Sequence, residues 1–154
     1  MVYGKKKIIL RNVNKKNSHE VKFLQTKIGE KIWGKKEIDH LIGIVGGYGK
    51  IIFLDGYSIG FIMARILGDH SEILSMGVCD KHRRRGYGSK LIEELEKNFV
   101  KNSVRKCFLE VNINNEAAIS LYYSQGFTSI RKIDKYYKRK NIQEDALVLS
   151  KAYI

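Results

Sequence analysis

The order of strand and helix patterns predicts an α/β fold: one mixed, mostly antiparallel sheet of about seven strands with helices on both faces. Strands and helices alternate in the middle of the 154-residue chain, and strands follow one another through hairpins near both ends. With 44% hydrophobic residues, a chain of this length can build a core without disulfides. We expect residues 1–154 to form a single domain, because no linker-like or repeated segment interrupts them.

Hydrophobic periodicity and turn residues place the individual elements. We expect strands at residues 8–13, 50–54, 57–67, 71–79, 106–113, 128–137 and 146–153. We expect helices at about residues 18–26, 35–44, 90–101 and 116–125.

Capping residues and apolar stripes predict the helices. Asn17-Ser18 can cap the first helix, in which Val21, Leu24 and Ile28 share one face. The third helix has an apolar stripe opposite a charged face, formed by Leu91, Ile92, Leu95 and Phe99. Asn114 or Asn115 predicts the start of the last helix, and Gly126 stands where a left-handed residue typically ends one.

Glycine, aspartate and polar runs predict the turns. Asp55-Gly56, between two apolar segments, favours a hairpin with a primed turn. The glycine-rich run at 46–49 predicts a turn, and the polar segment 138–145 predicts a link between the last two strands.

The charge balance favours anionic partners. Lys and Arg number 29 against 16 Asp and Glu, which gives a net charge of +13. Such an excess fits a phosphorylated cofactor, a ribosome, nucleic acid or acidic peptides. The basic residues are scattered, however, and outside the glycine-rich loop most clusters are explained better as solvated surface.

The two cysteines, Cys79 and Cys107, exclude a disulfide framework and argue against structural zinc, because they form no CxxC pair and have no neighbouring histidine cluster. We expect both thiols to be buried and inert. No apolar stretch approaches the ~18 residues that would span a bilayer. The apolar run at 8–10 is too short for a signal peptide, so we expect a cytoplasmic protein.

The run RRRGYG at residues 83–88 lies between a predicted strand and a helix. Glycine allows close backbone approach, and the first N–H groups of a helix have no intrahelical partners, so this position suits a phosphate or pyrophosphate. A P-loop is excluded because the GK at 49–50 would require glycine at Ile44 and a hydroxyl at Ile51. A dinucleotide fingerprint fails at Leu91. The pattern that remains is RxxGxG.

This pattern resembles the [QR]xxGx[GA] acetyl-coenzyme A loop of the GNAT N-acetyltransferases. The segments FLEVNINNEAAISLY (108–122) and QGF (125–127) resemble a block found in RimI-type and archaeal protein N-terminal acetyltransferases of that superfamily. Tyr136-Tyr137 followed by Glu144-Asp145-Ala146 resembles their YY…EDA segment. The resemblance runs from about 72 to 149. Asp80 replaces a common proline, and residues 29–34 match poorly in a loop that helps choose the substrate.

The resemblance implies the GNAT fold, with a splayed central parallel strand pair that holds acetyl-CoA. It implies direct acetyl transfer in a ternary complex to the α-amine of protein or peptide N-termini, without a metal or a covalent enzyme intermediate. Substrates would be nascent chains or ribosomal proteins, and the enzyme would work in association with the ribosome. It would have no specific nucleic acid or membrane partner and would be a monomer or a weak homodimer.

The resemblance also assigns site residues. Glu110 matches the proton acceptor, and its position within an apolar run suggests partial desolvation. Tyr122 matches the proton donor by its twelve-residue spacing from Glu110, which favours it over Tyr123. A polar-face strand residue and a core aromatic remain the plain structural alternatives.

The remaining assignments concern ligand binding. The cofactor-binding residues implied are Met76, Gly77, Val78, Arg83, Arg84, Arg85, Gly86, Tyr87, Gly88, Ser89, Asn115 and Tyr122. The substrate-binding residues implied are Glu30, Trp33, Tyr136 and Tyr137. Capping alone would explain Asn115, and packing alone would explain the tyrosine pair.

Two other functions stay open at this point. A lysine or small-amine acetyltransferase of the same fold needs stronger deprotonation, because a lysine amine titrates near 10.4 and an α-amine near 7.7–8.0. A non-catalytic, basic rRNA-binding module is the more distant alternative; the filled Glu110 and Tyr122 positions argue against it.

Overall fold

The computed structural model describes residues 4–29, 32–139 and 142–153. In chain order, the elements are β1 (Ile8–Asn12), α1 (Ser18–Ile28), α2 (Lys35–Gly43), β2 (Gly47–Leu54), β3 (Tyr57–Leu67), β4 (His70–Val78), a short 3₁₀ turn (Asp80–His82), α3 (Tyr87–Lys101), β5 (Lys106–Asn112), α4 (Glu116–Ser124), β6 (Thr128–Arg139) and β7 (Ile142–Ala152).

The strands form one seven-stranded sheet in the order β1-β2-β3-β4-β5-β7-β6. The β4–β5 pair is parallel, and the other neighbours described pair antiparallel. The predicted mixed sheet with a central parallel pair is therefore confirmed. None of the helices in the described ranges combines the length and the apolar character needed to cross a membrane.

Two hydrophobic cores lie on opposite faces of the sheet, because side chains alternate along each strand. Phe61 and Met63 of β3 pack with Leu24 of α1 and Ile38 of α2; we call this side the α1–α2 face. Ile62 packs on the other side with the α3 stripe and with residues of α4; we call this the α3–α4 face. The prediction of helices on both faces is confirmed.

The predicted hairpin at Asp55-Gly56 is confirmed by its backbone geometry. Both residues have positive φ, 50° and 87°, as a type I′ turn requires. This turn fixes the register of β2 against β3, in which Leu54 pairs with Tyr57.

Two loop predictions are wrong. Residues 47–49 are not a turn, because Gly47 and Gly49 pair with Arg65 and Met63 of β3 and so begin β2. Most of segment 138–145 extends β6 and β7 rather than linking them, since Lys138 pairs with Gln143 and Tyr137 with Glu144. In both places backbone pairing with a neighbouring strand overrides a polar or glycine-rich composition.

Asn17 occupies the N-cap position of α1, but its side chain forms no capping hydrogen bond. Its amide nitrogen donates to the carbonyl of Asn12 (2.9 Å), and its Oδ1 accepts from the N–H of Asn14 (2.8 Å). The residue therefore ties the helix start to the end of β1.

We expect Phe61→Ala to lower the free energy of unfolding by about 3–5 kcal/mol, because the ring is fully buried in the α1–α2 face. Tyr57→Ala on the same strand is the matched control; Tyr57 is 77% exposed, and its loss should change stability by about 0.5 kcal/mol or less. Urea unfolding measures both. Equal losses for the two variants would contradict the two-core arrangement.

Candidate active site

A cleft opens in the middle of the sheet because β4 and β5 pair only at their beginnings. The parallel pairing runs from His70 and Lys106 to Ile73 and Leu109, whereas the strands continue to Val78 and Asn112. On β4, Ser75 pairs with Met63 of β3 and Ile73 with the next β3 residue, so Leu74 is an extra residue. Such a bulge bends its strand. The two strands therefore separate where the bulge begins.

The last three residues of β4 offer backbone hydrogen-bonding groups to this cleft. Met76, Gly77 and Val78 pair with β3 along one edge. Pairing with β5 stops before them in the described part of the chain, so their other edge lines the cleft. An unpaired strand edge binds extended ligands through its N–H and C=O groups. These are three of the residues to which the resemblance assigns cofactor binding.

The basic glycine loop leads from the end of β4 to the N-terminus of α3. Arg84 and Gly86 have left-handed backbone conformations, with φ of 60° and 82°. Left-handed residues in such turns help neighbouring N–H groups to converge on an anion. Gly86 is the N-cap of α3 and supplies no capping side chain, and the first turn of α3 holds no acidic residue. The free N–H groups and the helix dipole therefore favour an anion here.

The three arginines of the loop do not have equivalent surroundings. The Nε of Arg83 donates to the carbonyl of Val78 (3.0 Å), and its Nη1 lies 2.7 Å from the carboxylate of Asp80. Arg83 thus fastens the loop to the end of β4. Arg84 and Arg85 are exposed and are the better candidates for contact with an anionic ligand.

The start of α3 packs tightly against α4. A Cβ atom on Gly88 would lie 2.7 Å from the Leu121 side chain, so this glycine permits the close approach of the two helices. Ser89 Oγ accepts a hydrogen bond from the side-chain amide of Gln125 (2.9 Å), which joins the same two helices. Tyr87 is buried, and its ring meets His82 edge-on. These contacts hold the helix N-terminus at the cleft.

Glu110 is the first β5 residue beyond the parallel pairing. The expectation that it is desolvated is wrong, because its side chain is exposed. The apolar neighbours Leu109 and Val111 point to the α3–α4 core, and Glu110 points to the other face by strand alternation. The Glu110 carboxylate raises the pKa of Tyr136, so the two side chains lie close together.

Tyr122 lies on the opposite face of the sheet from Glu110. It is buried in the α3–α4 core together with Leu109 and Val111, and its ring meets Phe127 edge-on with centroids 5.8 Å apart. Met76 and Val78 pack against the same core. Tyr123, the alternative considered from the sequence, is exposed. A ligand in the cleft would thus lie between Tyr122 on one face and Glu110 on the other.

Asn115 is the N-cap of α4, as the capping alternative predicts. Its Oδ1 accepts a hydrogen bond from the N–H of Ala118 (3.2 Å). This choice between Asn114 and Asn115 is settled by the structure, and the helix stop at Gly126 is confirmed by its φ of 93°. A ligand-binding role for Asn115 remains a prediction.

The loop between α1 and α2 is fixed by a residue that the sequence analysis missed. Gln25 is fully buried; its Oε1 accepts from the N–H of Trp33 (2.9 Å), and its Nε2 donates to Ser75 Oγ (3.4 Å). Trp33 itself packs against the α1–α2 core. Glu30, the other substrate residue predicted in this loop, lies outside the described residues. A detectable signal existed, because Gln25 lies one turn after Val21 on an apolar stripe, and buried polar groups must be hydrogen-bonded.

Cys79 and Cys107 are both buried, as predicted. Burial raises the pKa of both thiols, that of Cys107 to about 12, which disfavours a nucleophilic thiolate. Among residues 4–29, 32–139 and 142–153, no three histidine, cysteine or carboxylate side chains are grouped closely enough to hold a metal ion.

Residues 14–127 match the sequence model of the acetyltransferase (GNAT) family. The chain is 30% identical over 96 residues to the [ribosomal protein bS18]-alanine N-acetyltransferase of Escherichia coli K12; the match covers 62% of this chain and 65% of that relative, just under two thirds of its length. It is 31% identical over 118 residues to N-alpha-acetyltransferase 50 of Danio rerio, covering 70% and 67% of the two chains.

Solved structures show the same fold. The crystal structure of the E. coli ribosomal-protein-S18-alanine N-acetyltransferase superposes with a TM-score of 0.85 at 22% identity, over 94% of this chain and 92% of that one. Arabidopsis thaliana Naa50, solved with the bisubstrate analogue CoA-Ac-MVNAL, superposes with a TM-score of 0.83 at 27% identity, over 95% and 99%.

We expect Gln25→Leu to lower the free energy of unfolding by about 1–3 kcal/mol, because the N–H of Trp33 loses its buried acceptor. Amide hydrogen exchange at Trp33 should become faster at the same time. Thr26→Ala is the control, since its hydroxyl is exposed and bonds only within α1. Unchanged exchange at Trp33 in the leucine variant would show that Gln25 does not fix the loop.

Proposed function

This chain belongs to the GNAT acetyltransferase family, and we propose that it transfers the acetyl group of acetyl-CoA to the α-amine of protein N-termini. We assign residues 1–154 to one GNAT domain. The observation that carries the proposal is the cleft between β4 and β5, which has an anion-binding helix N-terminus at one end and the Glu110–Tyr136 pair on the α1–α2 face. The names of the two curated relatives support an N-acetyltransferase, one of them specified as alpha.

The cleft fits the parts of acetyl-CoA. The free edge of β4 at Met76–Val78 would pair with the amide groups of the pantetheine arm. The N–H groups at the start of α3, together with Arg84 and Arg85, would bind the pyrophosphate through charge-assisted hydrogen bonds. Binding of a CoA-peptide conjugate by Arabidopsis Naa50, which shares this fold, supports a single cleft for both substrates.

The chemistry requires one proton acceptor and one proton donor. The amine nitrogen attacks the thioester carbonyl carbon, a C–N bond forms, and the C–S bond breaks. We assign the amine's proton to Glu110, directly or through water, and protonation of the leaving thiolate to Tyr122. Glu110 and Tyr122 lie on opposite faces of the cleft. The amine and the thiolate lie on opposite sides of the carbonyl carbon, so each residue would exchange a proton with one of them. No covalent enzyme intermediate is needed.

An α-amine suits the exposed Glu110 better than a lysine amine does. The carboxylate lies at the surface, beside Tyr136. An α-amine titrates near 7.7–8.0, so a fraction is already neutral at pH 7, whereas a lysine amine near 10.4 is almost wholly protonated.

The groove beside Glu110 would receive the peptide. We assign three described aromatic residues to it: Trp33, Tyr136 and Tyr137.

The net charge of +13 supports work on nascent chains or ribosomal proteins close to ribosomal RNA in the cytoplasm.

A thiol-release assay with acetyl-CoA and short peptides tests the function. The panel holds peptides that begin with Ser, Ala, Met-Leu and Met-Glu, and one blocked peptide that offers only a lysine. We expect turnover on free N-termini and a loss of about 10²-fold in kcat for Glu110→Gln. The loss should shrink as the pH rises through 8, because the α-amine then deprotonates by itself.

Glu93→Gln, an exposed glutamate on α3, is the matched control and should keep the wild-type rate. Turnover confined to the blocked lysine peptide would move the function to lysine acetylation. Binding of acetyl-CoA without any turnover on the panel would contradict the proposal for protein N-termini.

The proposed pyrophosphate contacts predict a selective effect. The double variant Arg84→Gln/Arg85→Gln should raise the KM for acetyl-CoA about 10-fold, with kcat nearly unchanged, because about one charge-assisted bond is lost at each position. Raising the salt concentration should reduce the difference in this KM between the wild type and the double variant. Arg131→Gln, at an exposed position on β6, should leave this KM unchanged. An equal rise in the KM for acetyl-CoA in the double variant and in Arg131→Gln would indicate a non-specific charge effect.

A further inference from the structure

The β6–β7 hairpin is irregular beside the candidate site. Ile133 pairs with Ala146 and Tyr137 pairs with Glu144, so β6 contains extra residues between these two pairs. We call residues 134–136 the β6 bulge. Within it, Lys135 has a φ of 54°, a left-handed conformation that non-glycine residues rarely adopt. Such a conformation persists only where neighbouring groups hold it.

Asp145 of β7 supplies that hold. Its Oδ1 accepts a hydrogen bond from the N–H of Lys135 (2.8 Å), and its Oδ2 lies 3.3 Å from the ammonium of Lys132. The N–H of Lys135 and the Lys132 ammonium keep the pKa of the Asp145 carboxyl below its usual value. The carboxylate thus replaces the ladder hydrogen bond that the bulge removes.

The same short segment of β7 is tied to the end of β5. The carbonyl of Asp145 accepts from the N–H of Ile113 (3.0 Å), and the Glu144 carboxylate accepts from the side-chain amide of Asn112. The β6 bulge is therefore joined to the strand that carries Glu110.

Ala146 lies between the two strands on the same face. It pairs with Asn112 of β5 and with Ile133 of β6, and directly paired residues share a face of the sheet. Asn112 and Glu110 share that face by alternation. Ala146 is fully buried.

We propose that Asp145 is a positioning residue: by holding the β6 bulge, it brings the Tyr136 hydroxyl to the Glu110 carboxylate. The run Glu144-Asp145-Ala146 then has a physical explanation: Glu144 anchors β5, Asp145 holds the bulge, and Ala146 is the fully buried residue between β5 and β6. The consequence for acetylation, that Asp145 sets the orientation of the proposed base and the wall of the peptide groove, rests on the function proposed above.

The first test follows Tyr136 itself and needs no activity. With tyrosine rings labelled for NMR and the Tyr136 signal assigned by Tyr136→Phe, the phenol of the wild type should titrate above the ordinary value of about 10. The Glu110 carboxylate raises the pKa of this phenol most, followed by burial and, last, by the Glu72 carboxylate. In Asp145→Ala the titration should return towards about 10, since Tyr136 leaves Glu110. In Asp145→Asn, which keeps an acceptor oxygen, it should stay raised.

Asp134→Ala is the matched control. Asp134 lies in the bulge and also contacts Lys132 (3.5 Å), but its carboxylate is not the one that accepts from the Lys135 N–H. This variant should leave the Tyr136 titration unchanged. An unchanged titration in folded Asp145→Ala would overturn the proposal, as would an equal shift in Asp134→Ala.

Kinetics provide the second test. Asp145→Ala should raise the KM for peptide about 5- to 10-fold, with the KM for acetyl-CoA within about 2-fold of wild type, and Asp145→Asn should largely restore it. A proportional rise in both KM values would mean a general structural defect and would overturn the positioning role. If the wild type fails to acetylate any N-terminus, the proposed function fails, while the titration still decides the role of Asp145.

A measurement on the wild type covers the case in which Asp145→Ala does not fold. The N–H of Lys135 should exchange with deuterium more slowly, by about 10-fold or more, than an unbonded amide in an exposed strand segment, because it donates a hydrogen bond to Asp145. Exchange at the unprotected rate would overturn the proposal.

Discussion

The early end of the parallel pairing between β4 and β5 is the constraint on which the site depends. After Ile73 and Leu109 the strands separate, where Leu74 adds a residue to β4. This leaves the edge of Met76–Val78 open, places Glu110 at the first unpaired position of β5 and directs the chain into the basic loop that begins α3. In a fully paired sheet these backbone groups would form hydrogen bonds with the neighbouring strand and would not be free to bind a ligand.

The cleft has different chemistry at its different boundaries. At the start of α3, free N–H groups, the helix dipole and two exposed arginines make an electropositive site with no acidic residue in the first turn. On the α1–α2 face, Glu110 places a carboxylate beside Tyr136. On the α3–α4 face, Tyr122 is held in an apolar core. An anionic cofactor and a cationic amine would therefore be drawn to separate ends of one opening.

The two irregular segments beside the cleft are held in the same way. Gln25 accepts a hydrogen bond from the N–H of Trp33 in the α1–α2 loop, and Asp145 accepts one from the N–H of Lys135 in the β6 bulge. In each case a side-chain oxygen satisfies a backbone donor that regular secondary structure does not pair. Gln25 also contacts Ser75, and the Asp145 carbonyl contacts Ile113, so both segments are tied to the strands that form the cleft.

Local patterns in the sequence determined the order of elements, the Asp55-Gly56 turn, the α3 stripe and the basic loop, because each depends on residues close together in the chain. Only the tertiary structure decided that 47–49 and most of 138–145 are strand, since pairing partners lie far away in sequence. It alone decided that Glu110 is exposed, that Tyr136 reaches it, and that Gln25 and Asp145 hold the adjoining loop and bulge. Those outcomes depend on which face each side chain occupies and on which strand lies beside it, and the sheet fixes both only when it assembles.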